Sequence, residues 1–99
     1  MNVVQVFDLN KLVEFSQKQG LLNSMEARRP VKKDLLKTSN FNVVLICLET
    51  GQEIPSRSEP YGVCFYVIKG KGVFTVGSEQ VKLSSGGLIF APADEHEEY

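Results

Sequence analysis

A chain of 99 residues that is 42% hydrophobic and 23% charged has the composition of one ordinary globular domain, not that of a disordered segment. Its 12 acidic and 11 basic residues leave a formal net charge of -1, so no overall positive field favours nucleic acid as a partner. No apolar run approaches the ~20 residues of a membrane span and no secretory leader pattern is present, so no membrane association and a cytoplasmic location are expected.

In chain order, Val3, Val4, Val6 and Phe7 form a short β-prone run. Asp8 or Asn10 then caps a predicted amphipathic helix that carries Leu9, Leu12, Val13 and Phe15 and ends before Gly20. From Leu21 to Asn40 the pattern weakens at Pro30, and Val31 to Leu36 reads either as a strand or as an irregular crossing. Val43 to Leu48 is a β-rich run that stops at Glu49-Thr50-Gly51. Val63 to Ile68 is the next strand, Lys69 to Gly72 a turn, and Val73 to Val76 a strand closed by Gly77-Ser78. Val81 to Leu83 and Leu88 to Ala91 follow, separated by Ser84 to Gly87. Short strands at close spacing with glycine turns predict a mainly β sandwich or barrel.

Cys47 and Cys64 both lie in apolar runs, and both are expected to be reduced core thiols. Charges segregate, with Arg28, Arg29, Lys32, Lys33 and Lys37 in one stretch and Asp94, Glu95, Glu97 and Glu98 near the end. These are two solvated faces, or they attract each other across a dimer. There is no phosphate-cradling loop ahead of a helix, no zinc-type cysteine spacing and no nucleophile elbow.

The order Gly51, Pro55, Val63 to Gly72 and then Gly86 to Pro92 resembles the paired motifs of the cupin superfamily, with Gly51, Gly70, Gly86 and Pro92 on the family's spacings. The resemblance covers about half the chain. It implies a small antiparallel β-barrel (jelly-roll) with a short N-terminal strand and helix. On this reading residues 1–40 pack on a barrel core of residues 41–99, and the two form one domain.

Metal-binding members of the family use two histidines and a glutamate from the first motif and one histidine from the second. Transferred by spacing, those positions are Arg57, Glu59 and Val63, with Glu97 in the second motif; the longer spacing variant gives Ser56 and Ser58 in place of Arg57 and Glu59. Asp94 stands where the second motif has a glycine, and His96 falls one residue before its histidine position. No cofactor and no metal are therefore expected. A weak metal set of His96, Glu97 and Glu59 is the alternative.

Period-2 alternation puts Arg57, Glu59, Tyr61 and Val63 on one face if the backbone stays extended, whereas a bulge at Pro60 or Gly62 turns Ser56 and Ser58 inward instead. Favouring the first, the expected ligand contacts are Arg57, Glu59, Tyr61 and Tyr66. Arg57 either pairs with Glu59 or offers its planar fork to an anion, and the tyrosines stack and donate.

The expected function is a metal-independent binding domain for a sugar, sugar phosphate or organic acid. The alternatives are a cupin enzyme, either an isomerase or epimerase using Glu59 with Tyr61 or a metal-dependent dioxygenase, and a purely structural oligomerisation barrel. Because family barrels usually continue past the second motif, an open strand edge is expected here. The Val3 to Phe7 strand is expected to cover that edge, either by folding back or by exchange with a second subunit, and a homodimer is expected.

Overall fold

The computed structural model describes residues 4–15 and 29–99, which fall into two compact units, Met1–Gln52 and Glu53–Tyr99. The architecture is mainly β and every strand pairing is antiparallel. Among the described residues, no helix is long and apolar enough to cross a membrane.

In the first unit, helix α1 (Leu9–Leu12) is a single turn. It stops where Val13 turns extended, and the Asp8 side chain makes no capping hydrogen bond. The longer predicted helix is thus corrected: Val13 and Phe15 are exposed rather than on a buried helical stripe, so no apolar burial supports further turns. Its continuation beyond Phe15 lies outside the described residues. Val4 to Phe7 carry no ladder, with Val4 and Val6 almost fully exposed, so the predicted N-terminal strand does not form there; Val3 lies outside the described residues.

Strands β1 (Val31–Lys37) and β2 (Asn42–Cys47) make a hairpin, which resolves Val31 to Leu36 as a strand. Thr38 closes the turn, its hydroxyl donating to the Phe41 carbonyl and accepting from the Asn40 and Phe41 amides. Val31 and Lys33 face the buried Cys47 and Leu45, and a bulge between Asp34 and Leu36 then shifts the register. Of the basic cluster, Lys33 pairs with Glu14 at 3.1 Å, and Arg28 lies outside the described residues.

The second unit holds six strands: β3 (Arg57–Ser58), β4 (Val63–Tyr66), β5 (Lys71–Val76), β6 (Glu79–Ser84), β7 (Leu88–Ala91) and β8 (His96–Glu98). They form a four-stranded sheet in the order β3-β8-β5-β6 and a two-stranded sheet β4-β7. The predicted Lys69 to Gly72 turn is shorter than expected, because Lys71 and Gly72 already pair with Ser84 and Leu83. Gly70 and Gly86 sit at φ +90 and +89, the left-handed region that a side chain disfavours, and this is why glycine recurs at these two turns. Ser85 staples the two turns together, its hydroxyl accepting from the Gly70 amide and donating to the Gly70 carbonyl.

Alternation then sorts the β4-β7 side chains. Val63 pairs with Ala91 and Phe65 with Ile89 on the more buried face, while Cys64 pairs with Phe90 and Tyr66 with Leu88 on the exposed one. Cys64 is therefore not a core thiol, in contrast to the buried Cys47, because its neighbours Val63 and Phe65 take the inner positions. Phe65 meets rings from the facing sheet, lying 5.5 Å from Phe74 and 4.7 Å from Tyr99, and Phe74 stacks on Tyr99 at 5.5 Å.

Candidate functional site

The site is built from β3 and β8. Their register opposes Arg57 to Glu97 and Ser58 to His96. Directly opposed residues share a sheet face, so Arg57 and Glu97 lie on one face and Ser58 and His96 on the other. Glu97 is only 3% exposed and also opposes Val76 of β5, which identifies the Arg57 face as the inner one.

A bulge makes this arrangement possible. Ile54 and Tyr99 exchange backbone hydrogen bonds, yet two residues separate Ile54 from Arg57 while one separates Tyr99 from Glu97. The extra residue falls at Pro55-Ser56, where proline gives up no ladder donor. Ile54 is buried on one side of the bulge and Arg57 meets buried Glu97 on the other.

Glu59 follows the end of β3, and its Oε1 lies 3.4 Å from the Arg57 Nε. Its backbone carbonyl accepts from the Asp94 amide at 2.8 Å, tying the stretch before β8 to this turn. Asp94 stands at φ 68, the only left-handed non-glycine among the described residues, at the very position where the family motif has glycine. Aspartate is one of the few side chains that accept this conformation, so the turn survives the substitution.

Beyond Glu59 the Tyr61 hydroxyl donates to its carboxylate, and this bond, with burial second, raises the Tyr61 pKa above the ordinary phenol value. Tyr61 itself is about half exposed. Burial raises the Glu97 pKa, with Arg57 counteracting and Glu59 adding to the rise. Burial likewise raises that of Tyr99, and Arg57 again acts in the opposite sense. The Tyr99 hydroxyl is buried without a hydrogen-bond partner of proper geometry.

Arg57, Glu59 and Tyr61 are thus brought together, and Glu97 and Tyr99 join them. Tyr66 is not part of the group. It is 62% exposed on the outer face of β4, because the inner positions of that strand belong to Val63 and Phe65. Sequence reasoning missed Tyr99, although the alternation of Glu97 and Tyr99 along one strand was available to find it.

The metal set of His96, Glu97 and Glu59 does not assemble, since His96 shares a face with Ser58 and Glu97 the opposite one. Among the described residues no group of three or more histidine, cysteine, aspartate or glutamate side chains is placed to hold a metal ion. The positions where the family carries ligands hold a guanidinium, a carboxylate paired to it, a valine and a buried carboxyl with a raised pKa. A permanent cation and a hydrocarbon are not donors, so the set does not fit a transition metal.

A separate groove of about 410 Å³ lies among Val76, Val81, Ile89, Phe90 and Pro92, with Glu79 and Glu95 also in its walls. Arg57, Glu59 and Tyr61 do not line it.

Comparison with known proteins places this geometry. The Cupin domain family matches residues 44–97, more than half of the chain. An uncharacterized protein of Streptomyces coelicolor is 25% identical over 76 residues, 73% of this chain and 72% of its own. A conserved Streptococcus pyogenes protein of unknown function superposes with a TM-score of 0.74 at 21% identity, over 99% of this chain and 77% of that one. An uncharacterized conserved Klebsiella pneumoniae protein with a double-stranded β-helix domain gives 0.73 at 21% identity, over 97% and 76%. At that identity the two structures speak to the fold alone, which is the double-stranded β-helix.

Proposed function

Because the chain belongs to the cupin family, we propose that it is a metal-independent binding domain whose Arg57 cluster holds a small polar molecule: a sugar, a sugar phosphate or an organic acid. One observation carries this reading: on the inner sheet face, at the family's ligand positions, Arg57 is paired with Glu59, opposes the buried Glu97 and acts on the buried Tyr99 hydroxyl. Arg57 is about half exposed and Tyr61 likewise, so the cluster is open to solvent on one side.

The test is a thermal-shift screen of sugars, sugar phosphates and organic acids at millimolar concentration, repeated with Arg57→Ala. A ligand present at a hundred times its Kd adds about 2.7 kcal/mol to the folded state. Stabilisation in the parent chain that Arg57→Ala abolishes is expected. A flat response across all three classes overturns the reading.

A second reading, a cupin enzyme of the isomerase or epimerase type, draws support from the hydrogen bond between Tyr61 and Glu59. In it Glu59 is the base and the protonated Tyr61 the acid. Turnover that is unchanged in Glu59→Gln removes it.

The proposal extends to a homodimer in a reducing, cytoplasmic setting. The free state of both cysteines and the exposure of Val4, Val6, Phe90 and Leu88 support it. Sedimentation equilibrium is expected to return twice 11.0 kDa, and the monomer mass at high concentration argues against it.

A further inference from the structure

We infer that the Arg57 cluster selects an uncharged ligand bearing vicinal hydroxyls, a sugar or polyol, over a phosphate or carboxylate. This rests on the reading of the cluster as a binding site and narrows what the site accepts.

A guanidinium that awaits an anion carries an uncompensated charge, and this one does not. Its Nε faces Glu59 Oε1 at 3.4 Å, and Glu97 opposes it across the β3-β8 ladder on the same face. The cation is already countered from two sides. An incoming phosphate or carboxylate would displace one of these carboxylates from Arg57 or lie against both, and like charges brought together in a partly desolvated place repel. Among the described residues no second basic side chain enters the cluster to offset them: the ionisable groups acting on Glu97 are Arg57 and Glu59, and those acting on Tyr99 are Arg57, Glu97 and Glu59.

The hydrogen-bonding capacity left over has the opposite character. Arg57 keeps terminal N–H donors beyond its Nε and the carboxylates keep lone pairs, while the Tyr99 hydroxyl lies near the Arg57 guanidinium without a well-formed hydrogen bond. Donors and acceptors lie side by side, and one guanidinium against two carboxyl groups leaves no net positive charge to hold an anion. Two adjacent hydroxyls, each donating and accepting, satisfy such a set without bringing a charge into it. Tyr61, half exposed and anchored through its hydroxyl to Glu59, offers a ring to the apolar face of a sugar.

The experiment compares glucose, ribose and inositol with the corresponding sugar phosphates, gluconate and inorganic phosphate, by titration calorimetry and ligand-observed NMR. The parent chain is measured beside Glu59→Gln and Tyr99→Phe, with the fold of each variant checked by its thermal midpoint. The expected result is saturable binding of at least one neutral compound, with its charged counterpart weaker by about tenfold or more. Glu59→Gln, which frees the guanidinium, is expected to weaken the neutral ligand and improve the anion, so that the ratio falls or inverts. Tyr99→Phe weakens the neutral ligand without changing the fold. If anions bind more tightly than their neutral parents in the parent chain, the inference is overturned while the cluster stands as a binding site. If no compound of either class binds, the site reading falls and the inference with it.

Discussion

Two groups of side chains in the Glu53–Tyr99 unit meet at one residue and differ in how completely they are satisfied. The aromatic group, Phe65, Phe74 and Tyr99, is closed: three rings lie within 4.7–5.5 Å of one another and each is a partner to the other two. The polar group, Arg57, Glu59, Glu97 and Tyr61, remains open, with an exposed guanidinium edge and a raised carboxyl pKa. Tyr99 belongs to both, its ring in the first and its buried hydroxyl beside Arg57 of the second. The lesson is a division of labour along β8. Apolar contact holds the strand in place, and Glu97 on it faces a polar group that stays open to solvent.

That comparison can be broken from either side. The largest effect is expected from Phe74→Ala, which removes a ring touching both aromatic partners; a loss of about 3 kcal/mol in chemical denaturation is expected, with Glu97 and Arg57 remaining in register. Arg57→Ala should cost less, about 1–2 kcal/mol, because the guanidinium is half exposed while the carboxyl it leaves behind is buried. A loss equal to that of Phe74→Ala would mean that the polar group is structural after all.

Acidity sharpens the same contrast. The folded-state pKa of Glu97 is raised, so the folded chain binds the proton more tightly than the unfolded chain does. Its contribution to stability is therefore fully present below the ordinary carboxyl pKa and is lost as pH rises through the raised value. Glu97→Gln is accordingly expected to stabilise the protein at neutral pH, with the gain shrinking on acidification toward the ordinary carboxyl range, as read by thermal midpoints across the pH series. The smallest effect is expected from Tyr99→Phe, which keeps the stacked ring and deletes a buried hydroxyl that makes no well-formed hydrogen bond. Its thermal midpoint should be unchanged or higher, by up to about 1 kcal/mol in stability.

Much of the barrel is legible in the sequence, because its turns are made by residues with narrow conformational reasons. Gly70 and Gly86 stand in left-handed backbone, and the Gly77-Ser78 turn separates β5 from β6 where expected. Local chemistry was enough for these. The N-terminal region was misread because Val4, Val6, Val13 and Phe15 have helix and strand patterns whose formation depends on something to pack against. Cys64 and Tyr66 were misjudged for a related reason: within an unbroken apolar run such as Val63 to Ile68, hydrophobicity does not report which alternate set faces inward.

By itself the sequence marked the apolar runs that become β2, β4, β5, β6 and β7 and the glycine turns between them, since these depend on residue type and spacing alone. Only the tertiary structure decided which residues meet. The bulge at Pro55-Ser56 sets the inward parity of Arg57, and the β3-β8 register, joining residues forty apart, puts it opposite Glu97. Asp94, held at φ 68, donates to Glu59 and closes the group. One residue more or less in that bulge would present Ser58 to the inner face in place of Arg57, and no local propensity distinguishes the two.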